Sequence, residues 1–385
     1  MSMIRIARSA PTRVLSVAAL VAACTLLAAS AGAIMSPRAV SIASSPNVGT
    51  HNNYFAGIAC PGRDLCIAVG SDATATHDDT LAEQWNGAAW QVAKTPNIGT
   101  NYNDLNGVSC ATSTMCFAVG YWYTGTADRT LTEMWNGIRW TRVASPSRGS
   151  SSLLQSVSCP SVKLCFADGT WGMSASHTLI ERWNGTRWSV VASPSPGPTT
   201  NDLNGISCPT VHFCIAVGNT QNATPYRTLV ERWTGGMWTV MTSANPAVNN
   251  DVLNRVFCTS ATYCVAVGYQ FVTTYGTLIE RLSGGMWTAM TSPNHGTGNN
   301  FGFGISCKSA SNCEITGDWS QGMVHRTLVE HWNGHSWQLV PSPNVGKGQN
   351  SLNSVSYLPG AGSHLEMVGY WETGKVDRTL VERGP

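Results

Sequence analysis

Seven glutamates recur at intervals of about 50 residues and could, if they converged, bind a metal ion or supply an acid/base pair. They are Glu83, Glu133, Glu181, Glu231, Glu280, Glu330 and Glu382. Each follows a Thr-Leu-x pattern, and on a strand Leu131, Glu133 and Trp135 would share one face. A carboxylate among apolar neighbours is normally paired with a donor. We therefore interpret the glutamates as structural and predict no metal and no cofactor.

Twelve of the 13 cysteines form six pairs, each separated by five residues. The pairs are Cys60 and Cys66, Cys110 and Cys116, Cys159 and Cys165, Cys208 and Cys214, Cys258 and Cys264, and Cys307 and Cys313. This spacing places two sulfurs across a hairpin and favours six disulfides, each contributing about 2 kcal/mol. Zinc sites are the alternative and would need pairs from neighbouring repeats to converge. Tyr357 and Leu365 occupy the cysteine positions in the seventh repeat.

Four tryptophans, Trp122, Trp171, Trp319 and Trp371, each lie two residues after a glycine that ends an apolar run. Other aromatic and polar residues lie in or near the same loops, including Tyr121, Tyr370, Asp104 and Asp202. Exposed aromatic rings beside carboxylates and amides are suited to sugars, so these eight residues are the predicted ligand contacts. The alternative is that the tryptophans only cap the apolar cores.

Three residues depart from the repeat and are further candidates. Asp168 replaces a valine, Glu314 replaces an apolar residue and Arg255 replaces a glycine. Drift in a redundant repeat is the alternative explanation. The chain has no nucleophile elbow, no His-Glu-x-x-His motif and no phosphate-binding loop, so we predict no catalytic residues and no enzymatic activity.

The elements that must position these residues are short strands. Each repeat holds four strand-like runs separated by Gly, Pro, Asn and Ser, which predicts a four-stranded propeller blade. In the second repeat the runs are strand a (105–110), strand b (116–120), strand c (130–135) and strand d (140–145). The loops from b to c and from d to a should emerge on one face, opposite the a to b hairpins. Seven repeats predict an all-β, seven-bladed propeller.

The two ends of the chain predict how the ring closes. The last repeat ends after its strand c at 379–382, whereas 40–46 form a strand d with no repeat before them. Pairing these two segments would remove both exposed sheet edges. We expect a propeller over 38–385, with the seventh blade made from 351–385 and 38–47.

Val-Gly at the end of strand b and Gly-x-x-Trp after strand c, as in Gly137 to Trp140, resemble the repeats of Asp-box (BNR, sialidase-type) propellers. They also resemble the propellers of photosystem II assembly factors. Trp135 stands where the Asp-box family has aspartate, and no catalytic residue can be transferred from that family. In overall texture the chain is similar to uncharacterised secreted repeat proteins of actinobacteria, which implies a compartment and no activity.

Residues 1–33 contain Arg5, Arg8 and Arg13, the apolar run 14–29 and Ala31-Gly-Ala33, typical of a signal peptide. Cys24 would attach the protein to a membrane only if it were lipidated. The net charge of +2 is too small to attract nucleic acid. We therefore predict a secreted, monomeric binding module for a glycan or a cell-envelope or matrix partner. A protein-binding assembly scaffold is the first alternative, and an extracellular glycoside hydrolase or lyase is the second.

Overall fold

The computed structural model describes residues 39–222, 225–360, 362 and 364–385. The predicted signal peptide and Cys24 lie outside these residues. Within the described part, no helix has the length and apolarity that a membrane crossing requires. The secondary structure consists of short antiparallel strands in seven four-stranded sheets, which confirms the seven-bladed propeller.

The strands follow the order a, b, c, d in every blade that is continuous in sequence. The chain begins with β1 (Ser41–Ala43), the outer strand of blade 7. Blade 1 contains β2 (Asn53–Gly62), β3 (Leu65–Ala73), β4 (Asp78–Trp85) and β5 (Trp90–Ala93). Blade 2 contains β6 (Asn103–Thr112), β7 (Met115–Tyr123), β8 (Asp128–Trp135) and β9 (Trp140–Val143). Blade 3 contains β10 (Ser152–Ser161), β11 (Leu164–Trp171), β12 (His177–Trp183) and β13 (Trp188–Val191).

The second half of the ring repeats this pattern. Blade 4 contains β14 (Thr200–Thr210), β15 (Phe213–Gln221), β16 (Tyr226–Trp233) and β17 (Trp238–Met241). Blade 5 contains β18 (Asp251–Ser260), β19 (Tyr263–Phe271), β20 (Tyr275–Ser283) and β21 (Met286–Met290). Blade 6 contains β22 (Asn300–Ser309), β23 (Asn312–Gln321), β24 (Val324–Trp332) and β25 (Trp337–Leu339). Blade 7 contains β26 (Asn350–Tyr357), β27 (Leu365–Thr373) and β28 (Val376–Gly384), completed by β1.

The first and last strands close the ring as predicted. Strand β1 pairs antiparallel with β28, with Ser41 opposite Arg383, Ile42 opposite Glu382 and Ala43 opposite Val381. Because both strands would otherwise be sheet edges, the pairing satisfies backbone groups that a propeller with free ends would expose.

The hydrophobic core is divided into layers between adjacent blades. Phe166 and Ile180 of blade 3, for example, pack against Leu203 and Leu229 of blade 4. The layer between blades 7 and 1 joins Val368 and Val381 to Phe55 and Leu81 in the same way. Burying one such side chain contributes about 1.5–3 kcal/mol, so every blade is stabilised mainly by its neighbours.

Six disulfides join strands a and b of blades 1 to 6, with the predicted pairing. In blade 7, Tyr357 and Leu365 face each other at the equivalent place. The Tyr357 hydroxyl donates a hydrogen bond to Asn312 Oδ1 at 2.7 Å, which ties this hairpin to blade 6.

Candidate functional site

A channel runs along the axis of the propeller and is lined by strand a of every blade. A cavity of about 370 Å³ at its disulfide-bearing end contacts residues of all seven inner strands. One ring of the channel consists of residues at equivalent register positions in the seven inner strands: Gly57, Gly107, Ser156, Gly205, Arg255, Gly304 and Ser354. Small residues are needed here: a Cβ on Gly205 would lie 2.8 Å from the Cα of Arg255.

Arg255 is the one long side chain in this ring, and it crosses the axis. Its Nη1 donates to the carbonyl oxygens of Asn204 and Asn254, the latter at 3.1 Å, and its Nη2 donates to the carbonyl of Asn106 at 3.3 Å. Asn106 belongs to blade 2, whereas Arg255 belongs to blade 5. Arg255 lines cavities on both sides of the ring, so its guanidinium divides the channel.

Asp168, the second departure from the repeat, is fully buried beside the same ring, opposite Ser156. Burial raises the pKa of Asp168 to about 8, although the charge of Arg255 and nearby backbone amides act in the opposite direction. Desolvation also lowers the pKa of Arg255, but a guanidinium remains protonated in proteins. The third departure, Glu314, has a different partner, because His331 Nδ1 lies 2.9 Å from its Oε2.

The other side of the ring opens toward the b to c and d to a loops through a mouth lined by side-chain amides. A cavity of about 290 Å³ contacts Ala56, Asn106, Gln155, Asn204, Asn254, Arg255, Phe303 and Asn353. Four of these asparagines donate Nδ2–H to a carbonyl of the next blade at 2.7–2.9 Å. The amides thus join neighbouring blades while presenting polar atoms around the mouth.

An aromatic pocket adjoins the mouth between blades 5 and 6. This cavity, about 370 Å³, is lined by Tyr269, Tyr275, Phe301, Phe303, Asp318 and His325. The rings contact one another, with centroids 5.3 Å apart for Tyr275 and Phe301 and 6.1 Å apart for Phe301 and Phe303. Phe303 lines both cavities, so the aromatic pocket and the amide-lined mouth are adjacent.

Sequence reasoning did not identify Phe301, Phe303 or the mouth asparagines as a site. Phe303 carries a signal that could have revealed it, since it occupies the position that is Asn106, Asn204, Asn254 or Asn353 in other blades. The asparagines carried none, because a residue repeated in four blades is indistinguishable from a structural element of the repeat.

The four predicted ligand-binding tryptophans are half-buried at the end of strand b in blades 2, 3, 6 and 7, and they do not form one groove. Trp122 and Trp371 pack against the cores between blades. The ring of Trp171 contacts Arg148, whose guanidinium carbon is 4.4 Å from the ring centroid, and stacks on His177 at 4.5 Å. His295 stacks on Trp319 at 3.7 Å.

The predicted polar contacts have partners within the chain. Asp104 is buried and accepts a hydrogen bond from Tyr54 of blade 1 at 2.8 Å. Burial, with the charge of Asp104, raises the pKa of Tyr121. Asp202 accepts a hydrogen bond from Thr170 of blade 3 at 3.1 Å. Burial raises the pKa of Tyr370 to about 12. Their role as ligand contacts, like that of the tryptophans, stays a prediction.

The seven repeated glutamates are fully buried. In five blades the serine that follows strand d of the preceding blade donates its hydroxyl to the glutamate at 2.7–2.9 Å. These pairs are Ser45 and Glu83, Ser145 and Glu181, Ser193 and Glu231, Ser292 and Glu330, and Ser342 and Glu382. Burial raises the pKa of these five carboxyls to about 7 or 8. Among the described residues, no His, Cys, Asp and Glu side chains form a group able to hold a metal ion.

The fold and its channel define a seven-bladed β-propeller with an amide-lined, partly aromatic mouth. No family model matches the chain, and no curated protein matches it in sequence. Solved structures share the fold. The structure titled "YCF48 bound to D1 peptide" matches with a TM-score of 0.53 and 13% identity over 90% of this chain and 95% of that one.

Two further structures show the same likeness. YCF48 from Cyanidioschyzon merolae matches with a TM-score of 0.51 and 14% identity, over 89% of this chain and 98% of that one. Chaetomium thermophilum Sqt1, bound to the N-terminus of ribosomal protein L10, matches with a TM-score of 0.50 and 11% identity, over 83% of each chain. At these identities the likeness concerns the fold alone.

Proposed function

We propose that this chain is a binding propeller that holds a segment of a protein partner at the mouth of its channel. The observation that carries the proposal is that the aromatic pocket lies next to the amide-lined mouth, with Phe303 lining both. An extended peptide offers apolar side chains for such a pocket and backbone N–H and C=O groups for side-chain amides.

The comparisons support a protein partner over a glycan by analogy only. One structure of the same fold is described with a bound peptide and another with the N-terminus of a ribosomal protein. Within this chain, Trp171 and Trp319 already stack on its own side chains, which reduces the ring surface that a sugar could cover. The glycan hypothesis therefore depends on Trp371 and on Trp122, whose ring centroid lies 6.0 Å from the guanidinium carbon of Arg142.

We further propose that the protein acts outside the cell without catalysis. Six disulfides are suited to an oxidising compartment, and the signal-like residues 1–33 would direct the chain there. The carboxylate nearest the aromatic pocket, Asp318, lies 2.9 Å from His325 Nδ1. An Asp–His pair can stabilise a fold as well as take part in catalysis. The aromatic pocket around it indicates binding more specifically.

A peptide-display library and a glycan array, applied to the same secreted protein, test this function. We expect enrichment of peptides that contain aromatic residues and no glycan signal above background. Phe303→Asn introduces the residue found in four other blades, so it should fold normally while weakening peptide binding about tenfold or more. Ile138→Ala is the control, because Ile138 is 84% exposed in the c to d turn on the opposite face.

A glycan hit that survives Phe303→Asn but is lost in Trp122→Ala or Trp371→Ala would replace the peptide proposal with the glycan one. Peptides whose affinity does not respond to Phe303→Asn would place binding elsewhere on the propeller and overturn the assignment of the mouth.

A further inference from the structure

Arg255 has more hydrogen-bond donors than the channel has acceptors for it. A guanidinium carries five N–H groups. The structure shows three hydrogen bonds from Arg255, all to backbone carbonyl oxygens. A carbonyl oxygen accepts a hydrogen bond but carries no full negative charge, so these contacts position the guanidinium without neutralising it.

The carboxylate that acts on Arg255 at longer range is Asp168. Arg255 makes no ion pair within the part of the chain that the structure describes. Burial raises the pKa of the Asp168 carboxyl, and no ion pair between Asp168 and Arg255 is present among the described residues. The channel therefore contains a partly buried cation that borders two cavities and has no described carboxylate within ion-pair distance, an arrangement that attracts an anionic ligand.

The side from which an anion could approach is also defined. Beyond Arg255 toward the loops, the mouth presents the amides of Asn106 and Asn254, each of which donates one N–H to the next blade and has a second N–H for a carboxylate oxygen. Phe303 borders the same space and also lines the aromatic pocket. An anion bound here would have polar donors around it and an apolar wall on one side.

We propose that the mouth is a carboxylate-binding site, in which the guanidinium of Arg255 binds the carboxylate and Phe303 contacts an apolar or aromatic group attached to it. A planar carboxylate matches the paired N–H groups of arginine. The carboxylate could be the C-terminus of a partner polypeptide, and this alternative rests on the proposed function. It could also belong to a small carboxylic acid, and this alternative does not.

Calorimetric titration with N-acetylphenylalanine and N-acetylphenylalaninamide tests the proposal, because the two probes differ only in the carboxylate. At low ionic strength we expect the acid to bind about tenfold more tightly than the amide, and salt to reduce this difference. Arg255→Ser should remove the preference, and it should fold, because Ser156 and Ser354 hold the equivalent positions in blades 3 and 7. Arg255→Lys should retain part of the preference.

Equal affinities of acid and amide for the wild-type protein, no binding of either probe, or an acid preference that persists in Arg255→Ser would each overturn the carboxylate site. The comparison of acid with amide needs no variant, so the test holds even if Arg255→Ser is unstable.

Two further probes separate the sources of the carboxylate. A tetrapeptide that ends in phenylalanine should bind more tightly than N-acetylphenylalanine if the natural ligand is a chain terminus, whereas 3-phenylpropionate should bind at least as well as the tetrapeptide if it is a small acid. Binding of 3-phenylpropionate but not of the peptide would retain this site and contradict the proposed protein partner. Display peptides that bind equally as acids and amides would retain the proposed function and contradict this site.

Discussion

Ser45 donates a hydrogen bond of 2.9 Å to the carboxylate of Glu83, and in doing so it joins blade 7 to blade 1. Ser45 follows β1, the strand that completes the last blade, and its hydroxyl also lies 2.9 Å from that of Thr379 in β28. The same serine-to-glutamate contact joins other neighbouring blades, such as Ser292 and Glu330. The ring is therefore closed by the same polar contact that joins blades elsewhere.

Replacing Ser45 with alanine should destabilise the propeller. The change removes the hydrogen-bond donor of a buried carboxyl group, for which the expected loss is about 1–3 kcal/mol. Chemical denaturation of Ser45→Ala measures this loss. Ser44→Ala is the matched control, because Ser44 is the exposed neighbour in sequence. Equal midpoints for the two variants would show that the Ser45 contact contributes nothing to closure.

The buried glutamates predict that stability falls as the pH rises from about 5 to 8. Their folded pKa values of about 7 or 8 exceed the ordinary value of 4.5. The folded state therefore retains protons that the unfolded chain releases above pH 4.5. Their stabilising contribution is fully present below that pH and is lost as the pH rises through the folded pKa. Each group changes the free energy of unfolding by at most about 1.4 kcal/mol per pH unit. Thermal unfolding should give a higher Tm at pH 5 than at pH 8.

Glu133 should contribute strongly to this pH dependence. Neither of its carboxylate oxygens has a hydrogen-bond partner among the described residues, and burial raises its pKa to about 8. Glu133→Gln removes the titration and should flatten the dependence of Tm on pH. Glu181→Leu removes a titrating group as well but also removes the acceptor of the hydrogen bond from Ser145 at 2.7 Å, so it should also lower the stability at pH 5. A Tm that is constant from pH 5 to 8 in the wild type would contradict the buried-carboxyl interpretation.

The blades, the disulfides and the ring closure could be predicted because each depends on a local pattern. Cysteines five residues apart can only meet across a short hairpin, and a missing strand at one end matches an extra strand at the other. The hydrogen-bond donors to the repeated glutamates were harder to predict from the sequence. Ser145 and Glu181 lie 36 residues apart and meet only because adjacent blades pack face to face.

The channel could not be predicted either, because its contacts join residues that lie even farther apart in the sequence. The contact of Arg255 with the carbonyl of Asn106 spans 149 residues and three blades, so it exists only in the closed ring. The departures of Asp168 and Arg255 from the repeat were visible in the sequence, but their proximity was not. Phe303 likewise becomes part of a site only where the inner strands converge.

Blade 7 should be the least stable blade, because its a to b hairpin lacks a disulfide and its sheet is assembled from both chain ends. Hydrogen exchange should be faster in the amides of β26 and β27 than in those of β6 and β7. Introducing a disulfide with Tyr357→Cys and Leu365→Cys, which face each other, should slow that exchange. The reduced form of the same variant is the control, since it has lost the Tyr357 hydroxyl contact but has no disulfide. Uniform protection across all seven blades would contradict the prediction.

Truncating the half-buried tryptophans should affect stability before it affects binding. Trp122 and Trp371 pack against the cores between blades, so Trp122→Ala and Trp371→Ala should each reduce the free energy of unfolding by about 3 kcal/mol, the lower end of the range for a tryptophan replaced by alanine. Tyr102→Ala is the control, because Tyr102 is an aromatic residue on the same face that is 46% exposed, and its loss should be small. Unfolding is followed with and without the glycans or peptides selected by the screens. If both tryptophan variants retain wild-type stability but lose affinity for a glycan, the rings are ligand contacts and the peptide proposal for this face is wrong.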